Sequence, residues 1–129
     1  MTKKKLRLID ANLNRLREGI RVVEDIFRYV YNDKRISLKL KSLRHLSRLQ
    51  NYDELLSGRD IQNDILKNST PSEQKRENLH SILLANFKRA QESCRVLEEF
   101  TKLTSLENAE NFKFIRYELY GLEVKILNL

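Results

Sequence analysis

The residues best suited to chemistry occur in two matching sets. Residues 11–24 and 85–98 are identical at seven of fourteen positions. Helix periodicity does not dictate matched asparagines, arginines and glutamates, so these count for more than the matched apolar residues. Because arginine binds phosphate bidentately, the sets indicate a phosphate-rich ligand. The identical pairs are Ala11/Ala85, Asn12/Asn86, Arg15/Arg89, Glu18/Glu92, Arg21/Arg95, Val22/Val96 and Glu24/Glu98.

Arg15 and Arg89 are the first candidates for catalytic residues, because their positive charge could stabilise negatively charged phosphate groups. Asn12 and Asn86 could orient a phosphate or an amine, and Arg95 is a further candidate phosphate ligand. The alternative is structural, because polar groups beside an apolar stripe are costly to bury unless they are paired. In that case Arg15 pairs with Glu18 or Glu92, and Arg89 pairs with Glu18. At this point both interpretations stay open.

Two further sites add candidates. Arg59, Asp60 and Asp64 follow Gly58 in the longest irregular stretch. Since Mg²⁺ accepts one or two carboxylates plus phosphate oxygens, Asp60 and Asp64 are candidate metal ligands and Arg59 a candidate catalytic cation. A helix cap and ordinary loop polarity explain the same spacing.

Arg44 and His45 are adjacent on a predicted helix. They are candidates for a catalytic cation and a substrate-binding residue, respectively. A packed or surface histidine is the structural alternative for His45.

Four main helices must position these residues. Apolar residues spaced alternately by four and three predict a first helix from about Asp10, its N-cap, to about Tyr31. Asn32-Asp33 predicts a turn, and a second helix follows over about 34–50. A short helical turn is expected over 52–56, ended by Gly58 in the left-handed conformation.

The second half repeats this plan after a polar connection over 59–72. Thr70-Pro71-Ser72-Glu73 has the form of a capping box with proline at the first helical position. The helix that this box opens is predicted to run to about Leu103, with Cys94 in its apolar stripe, and its first turns before Leu79 could form a separate short helix. Thr104 with Glu107 predicts a capping box for the last helix, which runs to about Ile126.

The second helices also match, because residues 40–45 align with 112–117 after a two-residue shift. The sequence therefore predicts an all-α fold, a helical bundle from a duplicated two-helix unit with pseudo-two-fold symmetry. We expect one domain over residues 1–129. Repeat one covers about 9–51, the connecting loop about 58–72 and repeat two about 78–127.

Composition narrows the class of protein. The net charge of +7, from 25 Lys+Arg against 18 Asp+Glu, favours an anionic partner. No apolar run approaches the roughly 20 residues that span a bilayer, and the single cysteine fits a reducing compartment. We therefore expect a cytoplasmic protein. The absence of GxxxxGK[ST], GxGxxG, CxxC and HExxH argues against Walker-type NTPases, dinucleotide enzymes and zinc proteins.

Taken together, several stretches resemble one family, the small hydroxymethylpyrimidine phosphate kinases of thiamin biosynthesis. That family occurs alone or fused to thiamin-phosphate synthase. The resemblance spans nearly the whole chain, which looks like the stand-alone form, and departs from the family's pattern over 62–78. The stretches that carry it are Leu8–Arg15 with Glu18–Asp25, Leu43-Arg44-His45, Arg59-Asp60 with Asp64, Ala85-Asn86 through Arg95–Glu99, and Arg116–Glu123.

The resemblance implies that ATP phosphorylates 4-amino-5-hydroxymethyl-2-methylpyrimidine phosphate to its diphosphate, and that the unphosphorylated alcohol is not a substrate. The nucleophile would be a phosphate oxygen, whose second pKa is about 6, so no general base is required. The reaction needs Mg²⁺, positioning and fixed cations, for which we expect Arg15, Arg44, Arg59 and Arg89. Which repeat would bind ATP stays open, as does a homodimer that completes the site.

Two rival functions are weighed against the kinase. A basic helical nucleic-acid-binding module would need a continuous basic face, but acidic residues alternate with the arginines here. A helical chorismate mutase also uses arginines against a dianion, and Leu6–Asp10 superficially resembles the start of that family. The duplication argues against it. A helical subunit of a larger complex is a third, purely structural reading.

Overall fold

The computed structural model describes residues Met1–Leu129 and contains helices without strands, which confirms the predicted all-α class. None of these helices combines the length and apolar character needed to cross a bilayer. A π-helical segment, Ile26–Val30, extends the first helix, and a 3-10 segment, Val124–Asn128, extends the last. The helices are α1 (Lys3–Asp25), α2 (Lys34–Leu46), α3 (Tyr52–Ser57), α4 (Pro71–Gln74), α5 (Leu79–Thr101) and α6 (Leu106–Glu123).

The first helix begins seven residues earlier than its predicted N-cap. Thr2 caps α1, since its side chain accepts a hydrogen bond from the Lys5 amide. The prediction that Asp10 is the N-cap was wrong: Asp10 lies inside the helix and is buried. Leu6 and Ile9 are buried as well and continue the apolar stripe toward the N-terminus. The helix therefore starts where its apolar face starts.

Long helices α1 and α5 pack against each other and form the centre of the molecule. At Gly19 the backbone of α1 comes so close to α5 that an added Cβ would lie 3.1 Å from the Asn86 carbonyl oxygen and 3.4 Å from Ala90. The C-terminal end of α5 meets the N-terminal end of α1, because Thr101, Leu6 and Ile9 line one cavity. The two helices are therefore antiparallel.

Each central helix carries one partner helix, α2 on α1 and α6 on α5. Three fully buried phenylalanines, Phe27, Phe87 and Phe112, fill the space between these layers, together with Leu16, Ile20 and Cys94. Cys94 is in the core as predicted. The arrangement contains two helical hairpins, as the repeat predicts, while an exact symmetry axis between them stays a prediction.

Several predicted helix ends shift. The second helix ends at Leu46 rather than near residue 50. Ser105, not Thr104, caps α6 by accepting a hydrogen bond from the Asn108 amide. Thr70 caps the four-residue α4 as expected, and Asp33 caps α2 after the turn at Asn32, whose φ is 52°.

Gly58 does not adopt the predicted left-handed conformation, because its φ is −92°. Its role is close packing instead. A Cβ at Gly58 would lie 2.9 Å from the Lys3 carbonyl oxygen and 3.0 Å from the Arg7 amide nitrogen of α1. The glycine therefore lets the end of α3 rest on α1, and this contact fixes where the following loop begins.

Candidate functional site

A cleft of about 740 Å³ lies between the N-terminal half of α1 and the loop that follows Gly58. Five cationic and three acidic side chains line it, with few apolar ones. The cleft is therefore suited to a polar, anionic ligand. Its lining residues are Lys4, Arg7, Leu8, Asp10, Ala11, Asn12, Asn14, Arg15, Arg59, Asp60, Ile61, Asp64 and Lys67.

An ion pair between Arg59 and Asp10 attaches the loop to α1. Arg59 donates from Nε to Oδ2 and from Nη2 to Oδ1 of Asp10, each over 2.8 Å. Asp10 is 6% exposed, so it needs this partner. The hydrogen bonds to Asp10 raise the pKa of Arg59. Desolvation by burial opposes this effect, whereas the negative charge of Asp10 adds to it.

A second contact holds the loop from its other side. Arg7 donates from Nη2 to the backbone carbonyl of Asp60 over 3.1 Å. Asp60 in turn accepts hydrogen bonds from the amide and the side chain of Asn63, at 3.1 and 2.7 Å. These bonds lower the pKa of Asp60. The start of the loop is therefore held by α1 and by its own turn.

Four of the cleft's cations have no carboxylate partner. No ion pair is formed by Lys4, Arg7, Arg15 or Lys67, and Arg7 donates to a backbone carbonyl instead. Asn12 donates from its side chain to the Leu8 carbonyl over 3.0 Å, which fixes the amide group and leaves its oxygen without a donor. The cleft thus offers free positive charge and one oriented amide.

Five of the predicted site residues meet in this cleft: Asn12, Arg15, Arg59, Asp60 and Asp64. Sequence reasoning missed Lys4, Arg7 and Lys67. Lys4 and Arg7 were missed because the first helix was predicted to start at residue 10, which left them in a tail. Lys67 was missed because it lies in the irregular loop, where no helical periodicity indicates which way a side chain points.

The predicted residues of α2 lie elsewhere. Arg44 is 13% exposed and donates to Glu24 from Nε over 2.8 Å and from Nη2 over 3.3 Å. This bond is the main cause of the raised pKa of Arg44. His45 lines a shallow hollow with Lys41 and Leu46. Desolvation lowers the pKa of His45, and nearby Arg48 and Arg44 lower it further.

The predicted residues of α5 also lie outside the cleft. Asn86 donates to the Ile82 carbonyl over 2.9 Å, as Asn12 does in α1. Arg95 pairs with Glu98 and Glu99. Arg89 is exposed on α5, between Asn86 and Ala90, the two residues that Gly19 approaches.

The structural pairing considered for the repeated arginines does not occur. Arg15, Arg89, Glu18 and Glu92 are all exposed, and none of the four takes part in an ion pair. The matched glutamates farther along the helices are instead buried and paired, Glu24 with Arg44 and Glu98 with Arg116. The repeat thus contains a structural part and a solvent-facing part.

The candidate metal ligands serve as turn caps. Asp60 receives both donors of Asn63, and Asp64 Oδ1 accepts from the Leu66 amide over 3.0 Å. Asp64 Oδ2 has no donor. The chain brings no three carboxylate, imidazole or thiolate groups together in a metal-binding arrangement.

Comparison with known proteins adds three findings. Residues 7–125 match the model of the ThiD2 family. The chain is 42% identical over 118 residues to the thiamine-phosphate synthase of Thermosynechococcus vestitus, 38% over 122 residues to that of Nostoc punctiforme and 39% over 123 residues to that of Prochlorococcus marinus. These alignments cover 91%, 94% and 95% of the chain but 34%, 35% and 36% of the relatives. The chain thus spans about a third of their length, and no solved structure matches it.

Proposed function

The chain belongs to the ThiD2 family, and we propose that it is a kinase of thiamin biosynthesis. In this proposal it transfers the γ-phosphate of ATP to 4-amino-5-hydroxymethyl-2-methylpyrimidine phosphate and forms the diphosphate. The names of the curated relatives support the pathway, since thiamine-phosphate synthases carry a matching segment. The proposal includes a cytoplasmic location, where ATP is available.

One observation carries the proposal: the cleft concentrates unpaired cations. Both substrates are polyanions, and their phosphates repel each other as they approach. Lys4, Arg15 and Lys67 face the cleft without carboxylate partners, so their charge is free to offset this repulsion. Such fixed charges stabilise a phosphoryl-transfer transition state because they need no reorganisation during the reaction.

The attacking group is an oxygen of the substrate's own phosphate. Its second pKa is about 6, so it is largely ionised at neutral pH and needs no general base. Arg15 binds this phosphate bidentately in our proposal, and the fixed amide of Asn12 contacts the phosphate or the pyrimidine amine. Arg7 and Lys4, on the same helix, contact the nucleotide phosphates. Arg89, which does not line this cleft, is the counterpart of Arg15 in repeat two.

Mg²⁺ would enter with the nucleotide and neutralise charge on its phosphate oxygens. Asp64 is the better fitting ligand, because its Oδ2 has no donor, whereas both oxygens of Asp60 hold the Asn63 turn. One or two carboxylates completed by phosphate oxygens and water are the usual protein contribution for this ion. Arg59 in this scheme positions the loop, because both of its hydrogen bonds go to Asp10.

The test is a turnover assay with Mg-ATP and the pyrimidine monophosphate, with the free alcohol as the parallel substrate. Diphosphate is measured through a separately purified thiamine-phosphate synthase, so that ADP from simple ATP hydrolysis is not counted. We expect product from the monophosphate only. Absence of product from a folded protein, with a known kinase active in the same assay, would reject the proposal.

Variants connect the activity with the cleft. We expect Arg15→Ala to reduce kcat/KM by about 100-fold or more, since it removes a charge-assisted contact made in the transition state, with the helical circular dichroism unchanged. Arg35→Ala is the matched control, because Arg35 is exposed and has no side-chain partner. An equal loss of kcat/KM in both variants would show that the cleft does not contribute specifically to the reaction.

A further inference from the structure

Another cavity, of about 340 Å³, lies where the π-helical end of the first helix meets the start of α2. Arg28 from the π-helical segment and Lys34 and Lys41 from α2 contribute to its lining. Arg15 of the cleft and Arg28 belong to one continuous helix, and their separation in sequence places them about 20 Å apart along its axis. The cavity is therefore separate from the cleft described above.

The three cations that line this cavity are unpaired, whereas its two carboxylates are already engaged. No ion pair is formed by Arg28, Lys34 or Lys41. Glu24 accepts two hydrogen bonds from Arg44, which neutralises its charge. Asp33, the N-cap of α2, accepts one from the Ile36 amide over 3.0 Å. Positive charge therefore exceeds negative charge in the cavity, and this excess attracts an anion.

Ser37 adds a hydrogen-bonding group to the same cavity. Its hydroxyl oxygen is buried and has no hydrogen-bond partner within the chain. Buried polar groups of native proteins are nearly always satisfied, and a serine hydroxyl can donate to an anionic oxygen. The hydroxyl is therefore available to a ligand that also meets the three cations.

The second repeat lacks these features at the corresponding positions. Since α2 and α6 begin at matched residues of the repeat, their first turns correspond directly. Ala109 of α6 corresponds to Ser37, and Leu106 corresponds to Lys34. Repeat two thus has a methyl group and an apolar side chain where repeat one has a hydroxyl and a cation. The helical hairpin does not require the polar residues of this cavity for its fold.

We propose that this cavity binds the phosphate group of a small molecule, for which Arg28, Lys34 and Lys41 supply positive charge and Ser37 supplies a hydrogen bond. The ligand class is inorganic phosphate or a phosphate monoester, because the cavity has the size of a small ligand pocket. Single-turn π-helical segments such as the one that carries Arg28 are frequent at functional sites. The site does not depend on the proposed kinase activity, since none of these four residues lines the cleft.

The test follows the backbone amide signals of residues 32–38 in ¹H–¹⁵N spectra of the full chain. The probes are inorganic phosphate and ribose 5-phosphate, with chloride and acetate at equal ionic strength as comparisons. We expect saturable shifts with both phosphates and much smaller shifts with chloride and acetate. Tighter binding of ribose 5-phosphate would support a phosphate monoester as the ligand, and equal binding would support recognition of the phosphate group alone.

The same titration of Arg15→Ala separates this site from the cleft. We expect the shifts at residues 32–38 to persist in this variant with an unchanged dissociation constant, because Arg15 lies about 20 Å from Arg28 along the helix. Loss of these shifts in Arg15→Ala would show that they report on the cleft, and would overturn the second site.

Two lysines of α2 provide a matched pair of variants. Lys41→Gln is expected to raise the phosphate dissociation constant at these signals about tenfold, because one charge-assisted hydrogen bond is lost. Lys39→Gln removes the same charge from the same helix but outside the cavity, and it should leave the constant within about twofold. Both lysines are exposed, so neither substitution should unfold the protein. An equal effect of the two variants, or signals that neither phosphate moves, would refute the site.

Ser37→Ala introduces the residue that repeat two has at this position. We expect it to raise the phosphate dissociation constant about fivefold, the value of one neutral hydrogen bond. In phosphate-free buffer its free energy of unfolding should be equal to that of the original chain or slightly higher, because the hydroxyl has no internal partner to lose. Clear destabilisation in urea unfolding without phosphate would show that the hydroxyl has a partner in the chain, and would overturn its role as a ligand-binding group.

Discussion

Arg44 on α2 holds the buried carboxylate of Glu24 on α1, with Nε 2.8 Å from Oε1. The second hairpin contains the same relationship, since Arg116 donates from Nε to Glu98 over 3.0 Å. Both glutamates belong to the matched sets of the sequence, and both arginines fall at matched positions of the second helices. The ion pair is therefore a contact between the two helices of a hairpin that both copies of the unit contain.

We expect Glu24→Ala to reduce the free energy of unfolding by about 3–5 kcal/mol, the usual cost of removing one partner from a buried ion pair. Glu24 is 2% exposed, so Arg44 would lose its counter-charge without gaining full solvation. Urea unfolding measures the change. Glu18→Ala, at an exposed and unpaired position, should stay within about 0.5 kcal/mol. Equal small effects would show that the pair does not join the helices.

Two glycines give opposite expectations for the same substitution. Gly58→Ala should destabilise the fold by about 1–3 kcal/mol, because the new Cβ would press on the α1 backbone at Lys3 and Arg7. Gly121→Ala, inside α6 with nothing within 4 Å, should instead stabilise it by about 0.5–1 kcal/mol. Thermal unfolding of both variants measures these changes and separates the steric effect at Gly58 from the effect of helix propensity at Gly121. A stabilising Gly58→Ala would contradict the close contact.

The single thiol should be inert in the native protein. Cys94 is fully buried, and burial raises its pKa to about 12. We expect no reaction with Ellman's reagent at pH 8 in the folded protein. After urea unfolds the chain, one thiol per chain should react. Cys94→Ala should cost about 1–2 kcal/mol of stability with unchanged specific activity. Rapid labelling of folded protein would show that the core opens at this point.

Stability should fall on mild acidification because of His45. Desolvation and the charges of Arg48, Arg44 and Lys41 lower its pKa below 6.5 in the folded state. The unfolded chain therefore binds the proton first, and unfolding becomes easier as the pH falls through 6.5. We expect His45→Gln to reduce the pH dependence of the free energy of unfolding between about pH 7.5 and 5.5. His80→Gln controls for the loss of one imidazole; an unchanged slope in His45→Gln would refute the assignment.

Arg59→Ala should affect both stability and turnover, unlike Arg15→Ala. Asp10 would stay buried without its partner, which we expect to cost about 1–3 kcal/mol, less than a fully buried pair because Arg59 is 36% exposed. The loop would lose one of its two side-chain contacts with α1, while the Arg7 contact with the Asp60 carbonyl would remain. Adding Asp10→Asn should recover part of the stability but not the activity. A double variant with full activity would show that turnover does not need the Arg59–Asp10 contact.

The helices could be predicted because local sequence determines them. Apolar spacing located α1, α2, α5 and α6, and the matched Glu24/Glu98 and Arg44/Arg116 positions already contained the signal for the two ion pairs. The start of α1 was missed because Asp10 is a good N-cap by type. Its actual role depends on Arg59, a residue distant in sequence that only the folded chain brings near.

The sequence predicted several residues of the candidate site but not which of them lie together in the fold. Arg15 and Asn12 emerged from the repeat, and the structure puts them beside the Arg59–Asp64 loop. The equivalence of the repeats suggested one site built from both, yet Arg89 and Asn86 lie outside this cleft. The wall of this cleft comes from the loop that follows Gly58, and helix periodicity gives no information on where such a loop lies relative to α1.

The exposed segment from Ile61 to Asn78 is the only covalent link between the two hairpins. Separate hairpins would have to find each other by diffusion, and their association would depend on dilution. A covalent connection of this length replaces that dependence by a local concentration of about millimolar order. Cleavage within residues 61–78 would leave the α1/α5 interface intact but make assembly of the two hairpins depend on protein concentration. The connection thus makes association of the hairpins intramolecular.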